Sequence, residues 1–465
     1  MIEVRNPRTG ENDYAFEPPS PGELETIAAG LRSRQEPWTA DLPARVAALQ
    51  AWKSRIEATR ADLVAAIVHD TGRLAESELE VDAILRSIDR WCGLAPDLLA
   101  DPEPKKASIP IFSVRQSQRA YPLVGVISPW NFPLLLSLID AIPALVAGCS
   151  VIVKPSEIAP RFVEPLRGTL GDLPLAYVQG AGETGSGIVE LVDCLCFTGS
   201  VATGRAVGGQ AAKRFIPAFL ELGGKDPAVV LASADLDRAA SAVLWGGTAN
   251  AGQSCLSIER VYVEEPAYQE FLDRLVDKAR GVRLATPGPA DGELGPIIAA
   301  KQVPVIAGHL ADAAAKGAKA LTGGEVETID GGSFLRATVL TGVDHGMDVM
   351  TQETFGPILP VMPAADAADA IRLANDTTFG LSAAVFAGTA EEAIEAGSRI
   401  RAGAISVNDA ALTALIHDGE KNSFNFSGLG GSRMGPAALR RFGRRQAFII
   451  ADSPAPDPWW YPHLR

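Results

Sequence analysis

Cysteine is scarce in this chain. Five occur in 465 residues, Cys92, Cys149, Cys194, Cys196 and Cys255, an odd count with no C-x-x-C pair. That pattern argues against a disulfide framework or a zinc site and for a reducing compartment. Histidine is equally sparse, and His69, His309, His345, His417 and His463 include no pair at metal-ligand spacing, so no metal is expected. Blocks of five or six like charges are absent, and the formal charge of −14 disfavours nucleic acid or an anionic membrane surface as partner. The start, Met1-Ile2-Glu3-Val4-Arg5-Asn6-Pro7, has neither the basic nor the apolar region of a secretory signal, so a cytoplasmic setting is expected. Of the apolar stretches, 132–153 approaches the length of a membrane span, yet Asp140, Pro143 and Gly148 interrupt it. A buried helix followed by a buried strand is the expectation there.

What is present fits a sizeable soluble enzyme: 47% hydrophobic and 21% charged residues, with 45 Gly and 33 Pro marking many turns. At roughly 100 to 200 residues per domain, two or three domains are expected. Residues 41–99 read as mostly helical, with Val46, Leu49, Trp52 and Ile56 at three- and four-residue steps and a stop at Thr71-Gly72. Short apolar runs at 124–128, 150–153, 175–178, 194–197 and 215–220 then alternate with helical segments, which predicts a parallel, doubly wound sheet. Cys194 and Cys196 alternate along one such strand and should face one side of it as packing residues. A second α/β series follows at 227–231, 261–264, 358–362, 382–386 and 404–407, ending near the glycine-rich 426–435. Residues 107–121 and the tail after Arg441 fit neither series.

Two local contexts suggest chemistry. Cys255 ends Gly252-Gln253-Ser254-Cys255, and Glu221 opens Glu221-Leu222-Gly223-Gly224-Lys225, 34 positions upstream (255 minus 221). A thiol and a carboxylate so marked suggest a nucleophile and its base, and hence attack on a carbonyl. Taken alone, Glu221 reads more readily as a helix-start carboxylate. Three glycine-rich or charged passages could hold a dinucleotide. Gly180-Ala181-Gly182-Glu183-Thr184-Gly185 matches G-x-G-x-x-G after a strand, but glycines that merely turn the chain give the same pattern. Phe197-Thr198-Gly199-Ser200, closed by Gly204, joins a strand to a helix whose first N–H groups could meet a pyrophosphate. Lys154-Pro155-Ser156-Glu157 leaves a strand with a cation and a carboxylate one turn apart, either ribose contacts or a solvated ion pair.

These motifs occur in one order with Pro129-Trp130-Asn131-Phe132-Pro133 and Glu353-Thr354-Phe355-Gly356-Pro357, and together the chain resembles the aldehyde dehydrogenase superfamily over nearly its whole length. The resemblance implies an α/β fold with a Rossmann-type cofactor domain (1–106 and 122–223), an α/β catalytic domain (224–440) and a small β oligomerisation arm (107–121 and 441–465). It implies that Cys255 attacks the aldehyde, that Asn131 and the Cys255 N–H hold the oxyanion, and that Glu221 activates water against the thioester. Lys154 and Glu157 then resemble the adenosine-ribose contacts, and Gly199 and Ser200 the pyrophosphate loop. Glu353 and Phe355 resemble the holders of the nicotinamide ribose and ring. Trp130 resembles a wall of that site, and Leu222 a backbone contact to the nicotinamide amide. The implied cofactor is NAD, with NADP possible, because Glu157 would face a 2′-phosphate. The implied partners are a small-molecule aldehyde and further copies of the chain in a homodimer or homotetramer.

The chain also departs from the family pattern. Asp140 stands where many relatives carry Lys, and Ala437 where many carry a second Glu, so the auxiliary proton path of those relatives is missing. The late motif reads Asn425-Phe426-Ser427-Gly428 rather than Pro-Phe-Gly-Gly, and Arg433 replaces a usual Gly, with a surface position expected for it and a contact to an anionic substrate tail as the alternative. The positions matching the substrate tunnel, Phe132, Leu136, Ile139, Leu256 and Phe426, are all apolar, which points to a hydrophobic aliphatic or aromatic aldehyde. A CoA-acylating enzyme and a non-catalytic protein on this fold are the alternatives. Glu221 argues against the first, and intact Cys255, Glu221 and Asn131 against the second.

Overall fold

The helical stripe after residue 41 folds as three consecutive helices, Leu42–Ala58, Arg60–Thr71 and Ala75–Leu98, in the computed structural model, which describes residues 1–453 and 459–464. Leu49, Trp52 and Ile56 are fully buried, as their spacing on one helix face requires. The second helix stops at Gly72, which takes the left-handed conformation (φ 71°) that ends helices most cheaply in glycine. A further helix, Pro21–Ala40, precedes these and opens with a capping box between Ser20 and Glu23.

Five parallel strands follow, Leu123–Ile127, Ser150–Lys154, Leu175–Tyr177, Cys194–Thr198 and Ala218–Glu221. In space they run 218–221, 194–198, 123–127, 150–154, 175–177, so the winding reverses beside Leu123–Ile127. Such a reversal opens a crevice at the carboxyl ends of the strands. Cys194 and Cys196 point into one core cluster while Leu195 and Phe197 point into another, on the opposite face. The last strand begins later than the apolar run from 215: the preceding helix, Val201–Lys213, ends in a turn that puts Phe215 at φ 59° and leaves it 96% exposed. The apolar stretch 132–153 also divides, into helices Pro133–Leu138 and Ala141–Val146 before its strand, with buried Asp140 at the break. Among the described residues, no helix is long and apolar enough to cross a membrane.

The chain crosses from Glu221, at the end of this sheet, to Asp226, at the start of a second, through Leu222-Gly223-Gly224-Lys225. The second sheet orders Lys319–Ala320, Thr338–Thr341, Ile358–Ala364, Ile258–Glu264, Asp226–Val230, Ser382–Phe386 and Ala404–Val407. All its pairings but the first are parallel. A short strand, Gly428–Leu429, returns antiparallel along the first sheet and pairs Gly428 with Glu221. Phe112–Ala120 pairs antiparallel with Lys105–Lys106 and with Gly443–Ala451 in a third, three-stranded sheet. Of the C-terminal arm segment, 454–458 and Arg465 lie outside the described residues.

Candidate active site

A cavity of about 1000 Å³ lies where the two parallel sheets meet. Cys255, Glu221 and Asn131 line it together, as do Trp130, Lys154, Glu157, Gly199, Ser200, Leu222, Glu353 and Phe355.

Cys255 is presented by a strained loop. Asn250, Ala251 and Gly252 all have positive φ (55°, 53° and 69°), a conformation that costs non-glycine residues roughly 1–2 kcal/mol each. Gly252 is required as glycine, since a Cβ there would lie 2.2 Å from the Gly356 carbonyl carbon. The loop thus packs backbone to backbone against the Thr354-Phe355-Gly356-Pro357 segment. Gln253 ties it down: its Oε1 accepts from Ile298 N at 2.8 Å, and its Nε2 donates to Pro296 O at 3.2 Å. The Asn131 amide donates to Gln253 O at 3.1 Å, and an amide nitrogen has a second hydrogen for another acceptor. Asn131 O in turn accepts from Arg73 Nη2 at 2.6 Å and Asn250 Nδ2 at 2.9 Å, which fixes this residue to the cysteine loop.

Cys255 is partly exposed, whereas the other four cysteines are buried, and all five are free thiols. Burial pushes the Cys255 thiol up to about 12; Lys421 pulls against that rise, while Glu353, Asp226 and Glu221 add to it. Burial therefore keeps the thiol neutral at rest. Glu221 is held by two residues from the loop before the late glycine-rich motif. Ser423 Oγ donates to its Oε2 at 3.1 Å, and Lys421 Nζ lies 3.7 Å from the same oxygen. Neither had been singled out by the sequence.

Glu353 packs against the two glycines that follow Leu222 in the crossing between the sheets. Its Oε1 accepts from Gly224 N at 3.0 Å, and a Cβ on Gly223 would fall 2.6 Å from its Oε2. Glu259, also missed in the sequence, organises this junction. It accepts from Lys225 Nζ at 2.6 Å and from the N–H groups of Thr354 and Phe355 at 2.7 and 2.8 Å. Phe355, at φ 54°, sets its ring edge-on to Trp130 with centroids 5.4 Å apart. Gln302, from the helix Gln302–Ala315, donates to Thr354 O at 2.8 Å and lines the cavity beside Lys301 and Val305.

The other end of the cavity suits a dinucleotide. Ser200 caps the thirteen-residue helix Val201–Lys213, accepting from Thr203 N at 3.3 Å, so further N–H groups of the first turn can receive a pyrophosphate. Leu222 packs under this helix, since a Cβ on Gly204 would fall 2.4 Å from its side chain; its own N–H donates to Ser427 O at 2.9 Å. Lys154 Nζ donates to Gly180 O at 2.7 Å, Pro155 O at 2.9 Å and Glu157 Oε2 at 3.3 Å, and burial lowers its pKa. The first glycine of the G-x-G-x-x-G passage therefore serves Lys154, and Glu183 of that passage joins Glu157 in the cavity wall.

Of the apolar tunnel candidates, Leu136 lines the cavity, while Phe132, Ile139, Leu256 and Phe426 lie outside its lining. The Arg73 guanidinium stacks over Phe132 at 4.8 Å, and that of Arg205 over Phe426 at 4.3 Å. Arg433 corrects the expectation of a surface residue. It is buried, bonds Asp140 Oδ2 at 2.8 Å and Thr198 Oγ1, and shares Asp140 with Arg441. The two guanidinium groups offset the burial of Asp140 and hold its carboxyl below the usual range. Among the described residues, no group of three or more His, Cys, Asp or Glu is placed to hold a metal ion.

Residues 1–447 match the model of the aldehyde dehydrogenase family. The solved structure of "Putative Aldehyde Dehydrogenase PutA" from Anabaena variabilis superposes with a TM-score of 0.97 at 57% identity, covering 99% of each chain. Betaine aldehyde dehydrogenase from Staphylococcus aureus, solved in complex with NAD+, gives a TM-score of 0.91 at 27% identity over 99% of this chain and 93% of that one. A Mycobacterium tuberculosis protein named "Putative succinate-semialdehyde dehydrogenase (NADP+) 2" is 35% identical over 443 residues, 92% of this chain and 84% of that one.

Proposed function

The chain belongs to the aldehyde dehydrogenase family and is an NAD(P)-dependent enzyme; from that premise we propose that it oxidises a hydrophobic aliphatic or aromatic aldehyde to the carboxylic acid through a thioester on Cys255. The observation that carries this reading is the shared cavity of Cys255, Glu221 and Asn131. Glu221 takes the thiol proton, and the Cys255 sulfur bonds to the aldehyde carbon. The oxyanion of the thiohemiacetal is received by the free N–H of the Asn131 amide and by the Cys255 N–H, donors worth about 3 to 4 kcal/mol when preorganised. When bound, the cofactor would accept the hydride that converts the thiohemiacetal to the thioester, with Ser200 placed to hold its pyrophosphate and Glu353 and Phe355 its nicotinamide end. Glu221 then activates water against the thioester, releasing the acid and the thiol.

Leu136 in the lining and the apolar Phe132, Ile139 and Leu256 on adjacent segments support the substrate class. Arg433, the cation closest to an anionic-tail reader in the sequence, is committed to Asp140. The relative named for succinate semialdehyde defines the competing class, an aldehyde ending in a carboxylate. Glu157 and Glu183 in the wall, with Lys154 already bonded, support NAD over NADP. Free cysteines support a reducing, cytoplasmic setting, and the exposed third sheet supports a homo-oligomer.

Absorbance of the reduced cofactor across an aldehyde panel tests the reading. Hexanal and benzaldehyde should be oxidised faster than succinic semialdehyde, and NAD used better than NADP. Cys255→Ser should abolish hydride transfer, whereas Glu221→Gln should block release of the acid. Preference for succinic semialdehyde would sink the substrate class, comparable efficiency with NADP the cofactor preference, CoA-dependent turnover the hydrolytic step, and normal turnover of Glu221→Gln the base.

A further inference from the structure

Two residues beside Glu221 have no part in the chemistry so far. Lys421 and Ser423 lie on a loop without regular structure, yet that loop is pinned at both ends. Lys421 N donates to Ser432 Oγ at 3.0 Å, and Ser432 Oγ donates to Met434 O at 2.9 Å. Downstream, Ser427 Oγ donates to Gly223 O at 2.7 Å and accepts from Gly380 N at 2.9 Å, while Gly428 pairs with Glu221 itself. The loop is therefore stapled to the strand and turn that carry the carboxylate. Its Lys421 side chain is only 8% exposed, and the Glu221 side chain 13%. An ammonium is rarely withdrawn from water to that degree without a charged partner.

The charges on the other side of Glu221 make the position distinctive. Asp140, on the break between the two short helices, is bound by Arg433 and Arg441 and presents a closed cluster. Lys225, from the turn after Glu221, is consumed by Glu259 and Thr354. With Asp140 and Lys225 so occupied, Lys421 is the cation that the loop brings to Glu221. At 3.7 Å it is beyond hydrogen-bond reach of Glu221, so its interaction with that carboxylate is one of charge.

We propose that Lys421 is a positioning residue of the active site: with Ser423 it holds the Glu221 carboxylate in the cavity wall that Cys255 shares. This rests on the assignment of Cys255 as nucleophile and Glu221 as its base. Consistent with it, Lys421 opposes the rise that burial imposes on the thiol.

Alkylation of the purified protein by iodoacetamide, with neither aldehyde nor cofactor present, tests the idea independently of turnover. Cys255 is the cysteine that reagent can reach, because the other four are buried, and Cys255→Ser gives the background. The rate constant is read from pH 7 to 10 for wild type, Lys421→Met, Lys421→Arg and Ser423→Ala. The expected result is a slowing of about tenfold at fixed pH in Lys421→Met, the change that one pH unit of displacement brings, with Lys421→Arg restoring most of the rate. Ser423→Ala should leave alkylation near wild type and lower the rate of acid release. Thermal melting confirms that each variant is folded. Equal alkylation profiles in folded Lys421→Met and wild type would overturn the proposal. Failure of the wild type to oxidise any aldehyde would instead strike the functional reading, since the alkylation profile is measured without it.

Discussion

Burial lifts Glu353 from 4.5 to about 8, so at neutral pH its carboxyl is protonated and can donate as well as accept. Glu259 and Asp226 add to that rise, while the Gly224 N–H and Lys225 oppose it. A neutral carboxyl suits the ribose contact that the resemblance implies for this residue. It also sets a sign for stability. Between about 4.5 and 8 the folded chain keeps a proton at Glu353 that the unfolded chain has lost, so stability falls as pH rises through that window. Asp226, raised to about 7, acts in the same direction. The melting temperature should therefore drop between pH 5 and 9, and drop less in Glu353→Gln, which cannot ionise. Parallel curves for the two proteins would remove this account of Glu353.

At the scale of elements, the junction between the sheets depends on one buried ion pair. Glu259, on strand Ile258–Glu264, neutralises Lys225 and also receives the N–H groups of Thr354 and Phe355. Glu259→Ala leaves an ammonium without its partner in the interior, a change that costs about 3–5 kcal/mol. The expected outcome is a lower urea midpoint and weaker NAD binding by fluorescence, because Phe355 and Glu353 lose their anchor. An unchanged midpoint would show that Lys225 finds another acceptor. This junction also marks where the sequence stops being readable. The stripe of Leu49, Trp52 and Ile56 follows from helix periodicity, and the central strands from short apolar runs with turns between them. Glu259 lies two residues before the apolar run 261–264, at the start of the strand Ile258–Glu264, where nothing local marks its role, and its partner is 34 residues away (259 minus 225). Lys421 and Ser423 lie on a loop, where no period constrains direction. Arg433 reads as a surface residue until Asp140, 293 residues upstream, is brought against it. The helix Pro21–Ala40 was not read from the sequence: Ser20 and Glu23 have the spacing of a capping box, but the apolar stripe behind them is weak.

For the whole molecule, the two parallel sheets and the order of motifs were legible because each motif sits at a strand end, where the chain must turn toward the crevice. The third sheet adds no wall to the cavity, and its composition needs a different explanation. Gly443–Ala451 is an edge strand, paired on one side with Phe112–Ala120. Among the described residues, Phe448, Ile449 and Ile450 on it are 43%, 74% and 42% exposed, so apolar side chains are uncovered along a strand that pairs on one side. Edges of this kind invite pairing with another chain, and isolated soluble proteins usually blunt them with charge. A second copy covering this strand would account for the pattern. Light scattering coupled to gel filtration should then give twice or four times 48.8 kDa for the wild type. Ile449→Lys places an ammonium on the uncovered face and should shift the mass toward one chain, while the cavity, built from other elements, keeps its affinity for NAD. A wild type that elutes at 48.8 kDa, or a variant whose mass is unchanged, would show that the edge is left open and that assembly, if it occurs, uses another surface.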